Sequence, residues 1–306
     1  MNNQEKFQLI NDLLTTFSAI YIPKARPFRE EIGLPPNWFL LWVALEYEPD
    51  TISPRKAHIR TPYANLANLE RIDRELAEQG LLVDQGNQEY LVEPVMRAKL
   101  KQMILTIETT VAAVDVLTPA ELYTLEIRLA KVVQGALNSP YAEPYAIRLN
   151  NHSNPSISAP SILKIFQYLT DLSAWRDDAH VAAFKPYNVT GIEWECFSFA
   201  WRGEKNTPAA VFEDRGQARG YTVEDYAATF ESLVKKGWLE ADPTAEGAYR
   251  ATEQGRKIRE EAEVITDRNY FVPFEALGAE AAEEVWESLL HLHTAVKGLV
   301  PVEQPA

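Results

Sequence analysis

The chain has 306 residues, 46% of them hydrophobic, with seven Trp, thirteen Tyr and twelve Phe, enough for two domains with cores of their own and unlike a disordered chain. Its net charge of −14, from 30 basic and 44 acidic side chains, opposes non-specific attraction to nucleic acid, which needs a surplus of Lys and Arg on one face. A lone Cys196 excludes an internal disulfide framework and a multi-cysteine metal site, and no apolar run approaches the ~20 residues of a membrane span.

The start, "MNNQEKFQLI", carries an early acid where a secretory leader has a basic segment and an apolar core, so a cytoplasmic setting is expected. A helix is predicted over about 4–19, then an apolar helix around Trp38 in "PPNWFLLWVALEY". "SPRKAHIR" opens with an N-cap serine and a proline at the first helical position, the pattern of a short helix. In residues 61–80, Leu66, Leu69, Ile72 and Leu76 recur at helical spacing, and Gly80 stands where a left-handed residue ends a helix. Two short strands flanking "DQGNQ" and helices over 94–114 and 118–137 complete the half. Residues 138–161 contain four prolines with many Asn and Ser, and are predicted to be a linker.

The same order then recurs. A helix over 160–174 leads to an apolar helix around Trp194, then to "TPAAVFEDR" with its Thr-Pro start. A helix over 222–237 carries Tyr226, Phe230 and Leu233 and closes on Gly237. Strands flank "DPTAEG", and helices follow over 253–266 and 278–297. Trp38 and Trp194 lie 156 positions apart, Gly80 and Gly237 157, and Tyr90 and Tyr249 159. Ordered matches at a nearly fixed offset mark an internal duplication. The predicted fold is mainly α (α+β): two tandem winged helix-turn-helix units, 1–154 and 155–306, sharing one helical layer of the dimerisation type.

"LLVDQGNQEYLVEPVMRAKLKQMI" and "GWLEADPTAEGAYRATEQGRKIREEAEVITDRNYF" resemble MarR-type regulators, and "DDAHVAAFKPYNVTGIEWECFSFAWRG" resembles the tandem, SalK-like members of that group. The resemblance covers nearly the whole chain. It implies paired winged helices, a helical dimerisation layer with one chain supplying both halves as a pseudo-dimer, and a small-molecule cavity. The wings depart from the pattern, since such regulators put Arg there. Asp84, Glu89 and Glu93 stand in the first wing, and Glu240, Asp242 and Glu246 outnumber Arg250 in the second.

The first half holds 15 basic against 19 acidic side chains in residues 1–150, and the second 15 against 25, so duplex DNA is expected to meet the first unit. The candidate contacts are Arg55, Lys56, Arg60, Asn65, Asn68 and Arg71, because Arg and Asn make bidentate contacts to guanine and adenine in the major groove. Glu224 and Asp225 suit a helix N-terminus but repel phosphate. Trp38, Trp42, Trp194, Phe197 and Trp201 could line a pocket for a small apolar or aromatic ligand, or simply fill a core. "RDDAH" (176–180) is expected to be a capped loop or helix start, not a metal site, and Cys196 a core residue. No catalytic constellation and no cofactor or metal motif is visible, so an enzyme is not expected. The sequence therefore points to a small-molecule-responsive transcriptional regulator. Its alternative is a ligand-binding or protein-interaction protein that keeps the scaffold without binding DNA.

Overall fold

The computed structural model describes residues 1–35, 37–152 and 155–300. Among these the chain is mainly helical, with α1 (Asn3–Glu31), α2 (Phe39–Tyr47), α3 (Pro54–Arg60), α4 (Leu66–Glu78), α5 (Pro94–Ala112), α6 (Pro119–Leu137) and α7 (Tyr145–Asn151) in the first half. The second half holds α8 (Ser161–Phe184), α9 (Gly191–Arg202), α10 (Pro208–Val211), α11 (Gln217–Arg219), α12 (Val223–Lys235), α13 (Glu253–Glu275) and α14 (Ala279–Lys297). Four short strands, β1 (Leu82–Asp84), β2 (Tyr90–Val92), β3 (Leu239–Ala241) and β4 (Tyr249–Ala251), form two separate hairpins.

Several ends are set as the residues dictate. Ser53 and Thr207 accept backbone N–H bonds at the starts of α3 and α10, with Pro54 and Pro208 at the first helical position. Gly80 and Gly237 adopt φ of 71° and 74°, and behind them Leu81 N–H donates to Leu76 O and Trp238 N–H to Leu233 O, both at 2.9–3.0 Å. This is the six-to-one bond of a Schellman ending, so both helices stop by the same device.

Other expectations change. α1 continues to Glu31 through Pro23 and Pro27, each of which removes one internal helix bond without ending the helix. Helix α7 lies inside the expected linker, with Ala146 and Ile147 buried. The carboxylate of Asp178 caps it, accepting from the N–H groups of Ala146 (2.8 Å) and Ile147 (3.0 Å). "RDDAH" therefore sits within α8, where its acid caps a different helix. α13 likewise runs on to Glu275.

The compact units do not coincide with the halves 1–154 and 155–306. One is assembled from 1–48, 92–179 and 267–306, the other from 49–91 and 180–266, with the divisions falling inside β2, α8 and α13. In the first unit α1 packs on α5 and α14, α6 on α14, and α7 on α2 and α6. Its aromatic centre stacks Phe274 on Trp286 (4.6 Å between centroids), with Tyr270 edge-on to Phe7.

The second unit holds both hairpins and helices α3, α4 and α9–α12. Its core is aromatic: Phe184, Trp194, Phe197, Phe199, Tyr226, Phe230 and Trp238 are buried together. Trp194 stacks on Phe184 at 5.1 Å and meets Phe197 edge-on at 5.5 Å. Strands β3 and β4 pair antiparallel, Glu240 opposite Arg250. Ile52 exchanges two backbone bonds with Tyr90, and Asn206 O accepts from Tyr249 N–H, so each hairpin gains one further backbone connection. Trp38 and Trp194 do not share a setting: Trp38 precedes α2 in the first unit, half-buried, whereas Trp194 is inside α9 and fully buried in the second.

Candidate functional site

The Ser53 cap starts α3 so that Arg55 is exposed on its first turn and Lys56 and Arg60 follow on the same short helix. Arg55 makes no hydrogen bond or ion pair among the described residues. Lys56 donates to Thr51 O (2.7 Å) and pairs with Glu89 at 3.1 Å. The Thr51 hydroxyl and the Lys56 ammonium together hold the Glu89 carboxyl below its ordinary range. On α4, Arg71 bridges Glu75 and the side-chain oxygen of Asn68 (2.7 Å).

The N-terminus of α4 is occupied from within the same unit. Asn65 is its N-cap, accepting from Ala67 N–H, while its backbone N–H donates to Arg219 O (2.8 Å) and its side-chain amide to Gly220 O (3.2 Å). Gly220 has φ of 74° and lies so close to Asn68 that a Cβ there would stand 2.2 Å from Asn68 Cγ. The Arg219 guanidinium sits over the Tyr63 ring and also bonds Glu195. Gly191 is equally tight, since a Cβ would fall 2.0 Å from Pro62 O. The structure thus brings Asn65, Asn68 and Arg71 together, but turns both asparagines toward residues 219–220.

The corresponding helix of the second half, α12, has a Thr222–Asp225 capping box and presents Glu224 and Asp225 in its first turn. In the second hairpin the Arg250 guanidinium pairs with Glu240 at 2.8 Å, both half-exposed. Asp242 takes the Thr244 hydroxyl and N–H, which hold its carboxyl low. This end of the β3–β4 hairpin is negative.

The expected aromatic pocket divides. Trp194 and Phe197 are core residues, and Trp201 covers the Arg259 guanidinium, which lies 4.9 Å from Trp194 and 5.0 Å from Trp201. Arg259 is buried, bonded to Ser198 and paired with Glu263. Sequence reading missed this cation, because nothing local distinguishes it from the other charges of α13. Trp194 Nε1–H donates to His180 Nε2 at 3.0 Å, placing a second polar group against the same ring. Trp38 and Trp42, by contrast, meet edge-on at 6.1 Å in the first unit and border a cavity of about 450 Å³. Ile22, Met103 and Ile107 form further walls, and Arg26 and Arg29 stand at its rim.

Three buried acids lie apart from these surfaces. Asp73, on the inner face of α4, has one carboxylate oxygen without a hydrogen-bond partner, and burial pushes its pKa up to about 7. Burial raises Asp178 to about 6 against the two N–H bonds it accepts, and Asp171 to about 6 against its amide partners Asn150, Asn151 and Gln167. Burial also raises the Cys196 thiol, leaving no thiolate for chemistry. No group of three metal-ligating side chains converges among the described residues, and no described helix is long and apolar enough to cross a membrane.

Residues 151–301 match the sequence model of a helix-turn-helix family. That span contains α9, α12 and the β3–β4 hairpin. No curated protein and no solved structure matches the chain.

Proposed function

We propose that the chain is a MarR-like transcriptional regulator built on two winged helix-turn-helix units, with duplex DNA bound mainly through the winged helix of the first half of the sequence and a small molecule modulating it. The observation that carries the reading is the helix-turn-helix match over 151–301, joined to the recurrence of the same element order and the same glycine helix ending in the first half. On this reading the helices outside the second compact unit are the dimerisation-type layer, and one chain acts as its own pseudo-dimer.

Arg55, Lys56, Arg60 and Arg71 are then the groups that meet phosphate. The pairs Lys56–Glu89 and Arg71–Glu75 leave a third to a half of each side chain in solvent. Such surface pairs contribute about 0–1 kcal/mol, so phosphate can replace the carboxylates. Base reading by Asn65 and Asn68 requires more, because residues 219–220 have to leave the α4 N-terminus first. That packing favours the second reading, a protein-interaction or ligand-binding scaffold without DNA.

Binding to genomic duplex fragments, measured at low and at physiological salt, separates the two. The regulator reading expects salt-sensitive binding that the combined change of Arg55, Lys56 and Arg60 to Ala abolishes. The log–log salt slope should flatten by roughly 0.9 for each phosphate that a variant no longer neutralises. Absence of salt-sensitive binding to any fragment leaves the scaffold reading in place.

A further inference from the structure

Within the second compact unit the start of α4 and the start of α12 are tied together, at a spacing that paired recognition helices do not use on DNA. Asn65, the N-cap of α4, donates its backbone N–H to Arg219 O (2.8 Å) and its side-chain amide to Gly220 O (3.2 Å). Thr222, just beyond Gly220, is the N-cap of α12. The stretch from Gly220 to Thr222 spans at most about 7 Å, so the two helix starts lie well under ~20 Å apart. Helices that enter successive major grooves of one duplex stand ~34 Å apart.

The segment between them, residues 217–221, is held at few points. It follows a π-helical turn, Phe212–Gly216, a form that is rare and often marks a functional site. That turn buries only Gly216, and α11 buries no residue. The side-chain anchor of the segment is Arg219. Its guanidinium bonds the Glu195 carboxylate of α9 at 3.1 Å and lies 5.2 Å from the centre of the Tyr63 ring, in the turn before α4. One arginine thus clips an acid of the second half to a ring of the first. Pro62 and Tyr63 are packed instead. Tyr63 joins the aromatic cluster of Phe184 and Trp194, and Gly191 leaves no room for a side chain beside Pro62 O. The seam therefore has a packed end at residues 62–63 and a polar, clipped end at 65–68.

We propose that residues 217–221 are an autoinhibitory strap: Arg219 holds them over the N-terminus of α4, and duplex DNA is admitted only when this clip opens. The proposal rests on the DNA part of the reading above. Arg219 O and Gly220 O take the two donors of Asn65 that a phosphate or a base edge would otherwise meet, and Gly220, without a side chain, lies directly against Asn68. The open fraction sets the affinity, since a competent state populated to about a tenth weakens binding about tenfold. The packed end at Pro62 and Tyr63 keeps the compact unit whole while the strap moves.

The test compares the full chain with its Arg219→Ala variant, by hydrogen exchange of the free protein and by titration with a pool of genomic duplex fragments at low salt. The Asn65 N–H is the direct reporter, because its acceptor is Arg219 O. Arg219→Ala should speed its exchange by about tenfold or more while the amides of Leu69 and Ile72 keep their rates. Duplex binding should tighten by a similar factor. The sign carries the weight here: losing a cation weakens attraction to phosphate, so a gain in affinity cannot come from charge. Gly220→Ala, whose Cβ would stand 2.2 Å from Asn68 Cγ, wedges the same end open and should act in the same direction. Melting curves of both variants establish that they fold. Unchanged Asn65 exchange in both variants, or faster exchange with duplex binding unchanged or weaker, overturns the strap and leaves the DNA reading in place. If neither the chain nor its variants bind any duplex, the DNA reading fails and the inhibitory role of the strap fails with it.

Discussion

The two helix-and-hairpin segments, α4 with β1–β2 and α12 with β3–β4, share one compact unit but are held in different ways. In the second, α9, α12 and the β3–β4 hairpin close over Trp194, Phe197 and Trp238, whose rings touch in succession, and over Phe230, which stacks on Tyr249. In the first, α4 buries Leu69, Ile72 and Leu76 with Leu82, and the same face contains Asp73 with an unpartnered oxygen. The second element caps α12 with its own Thr222, whereas the first ties the cap residue of α4 to Gly220, beyond its own half of the sequence. The lesson is that matching element order does not make two elements equally self-sufficient. One carries its own core, and the other leans on a neighbour at the end of the helix that a helix-turn-helix protein would present to DNA.

The largest effect should come from the aromatic core. Trp194→Ala removes a fully buried ring that stacks on Phe184 and lies over Arg259, so a destabilisation of about 4 kcal/mol is expected by urea unfolding. If Leu69→Ala in the first element costs as much, the contrast between the two cores is wrong. Next comes Gly191→Ala. Its new Cβ meets the backbone of Pro62, which no rotamer change relieves, and a cost of about 3 kcal/mol is expected. Hydrogen exchange should show the destabilisation concentrated in residues 62–78. Gly203→Ala is the control, because its φ of 68° is strained but the space around it is open, so a cost of about 1 kcal/mol is expected.

Asp73 sharpens the comparison through pH. Its carboxyl titrates near 7 in the fold against an ordinary value of 3.8, so rising pH lowers stability progressively from about pH 4 to about pH 7. Above that range the decrease is complete. At about 1.4 kcal/mol per pKa unit the full cost is at most about 4 kcal/mol. Asp73→Asn should therefore stabilise the chain by about 2 kcal/mol at pH 8 and change little at pH 4, as read from denaturant midpoints. A stabilisation independent of pH would mean that the carboxyl is not the strained group. The smallest effect belongs to Arg250→Ala. The pair with Glu240 is half-exposed, so stability should move by less than about 0.5 kcal/mol and duplex binding hardly at all.

The amino-acid sequence by itself determined several helix caps and endings, because these depend on residues within one turn of each other. Ser53–Pro54, Thr207–Pro208, Gly80 and Gly237 act through local backbone geometry, and all four were legible. The acidic character of the second hairpin was legible too, since adjacent charges stay adjacent in a short turn. Tertiary structure alone decided how the segments sort into compact units, and it placed Trp38 and Trp194 in different ones. Only it could show that the carboxylate of Asp178 starts α7 within a proline-rich stretch, or that Gly220 seals the N-terminus of α4. The partners are 32 residues apart in the first pairing and 155 in the second, and no local pattern encodes a pairing over such a distance. The aromatic residues divide for the same reason. Hydrophobicity says that a ring will be buried, while packing decides whether it lies beside other rings, beside a guanidinium such as Arg259, or at the edge of an open cavity.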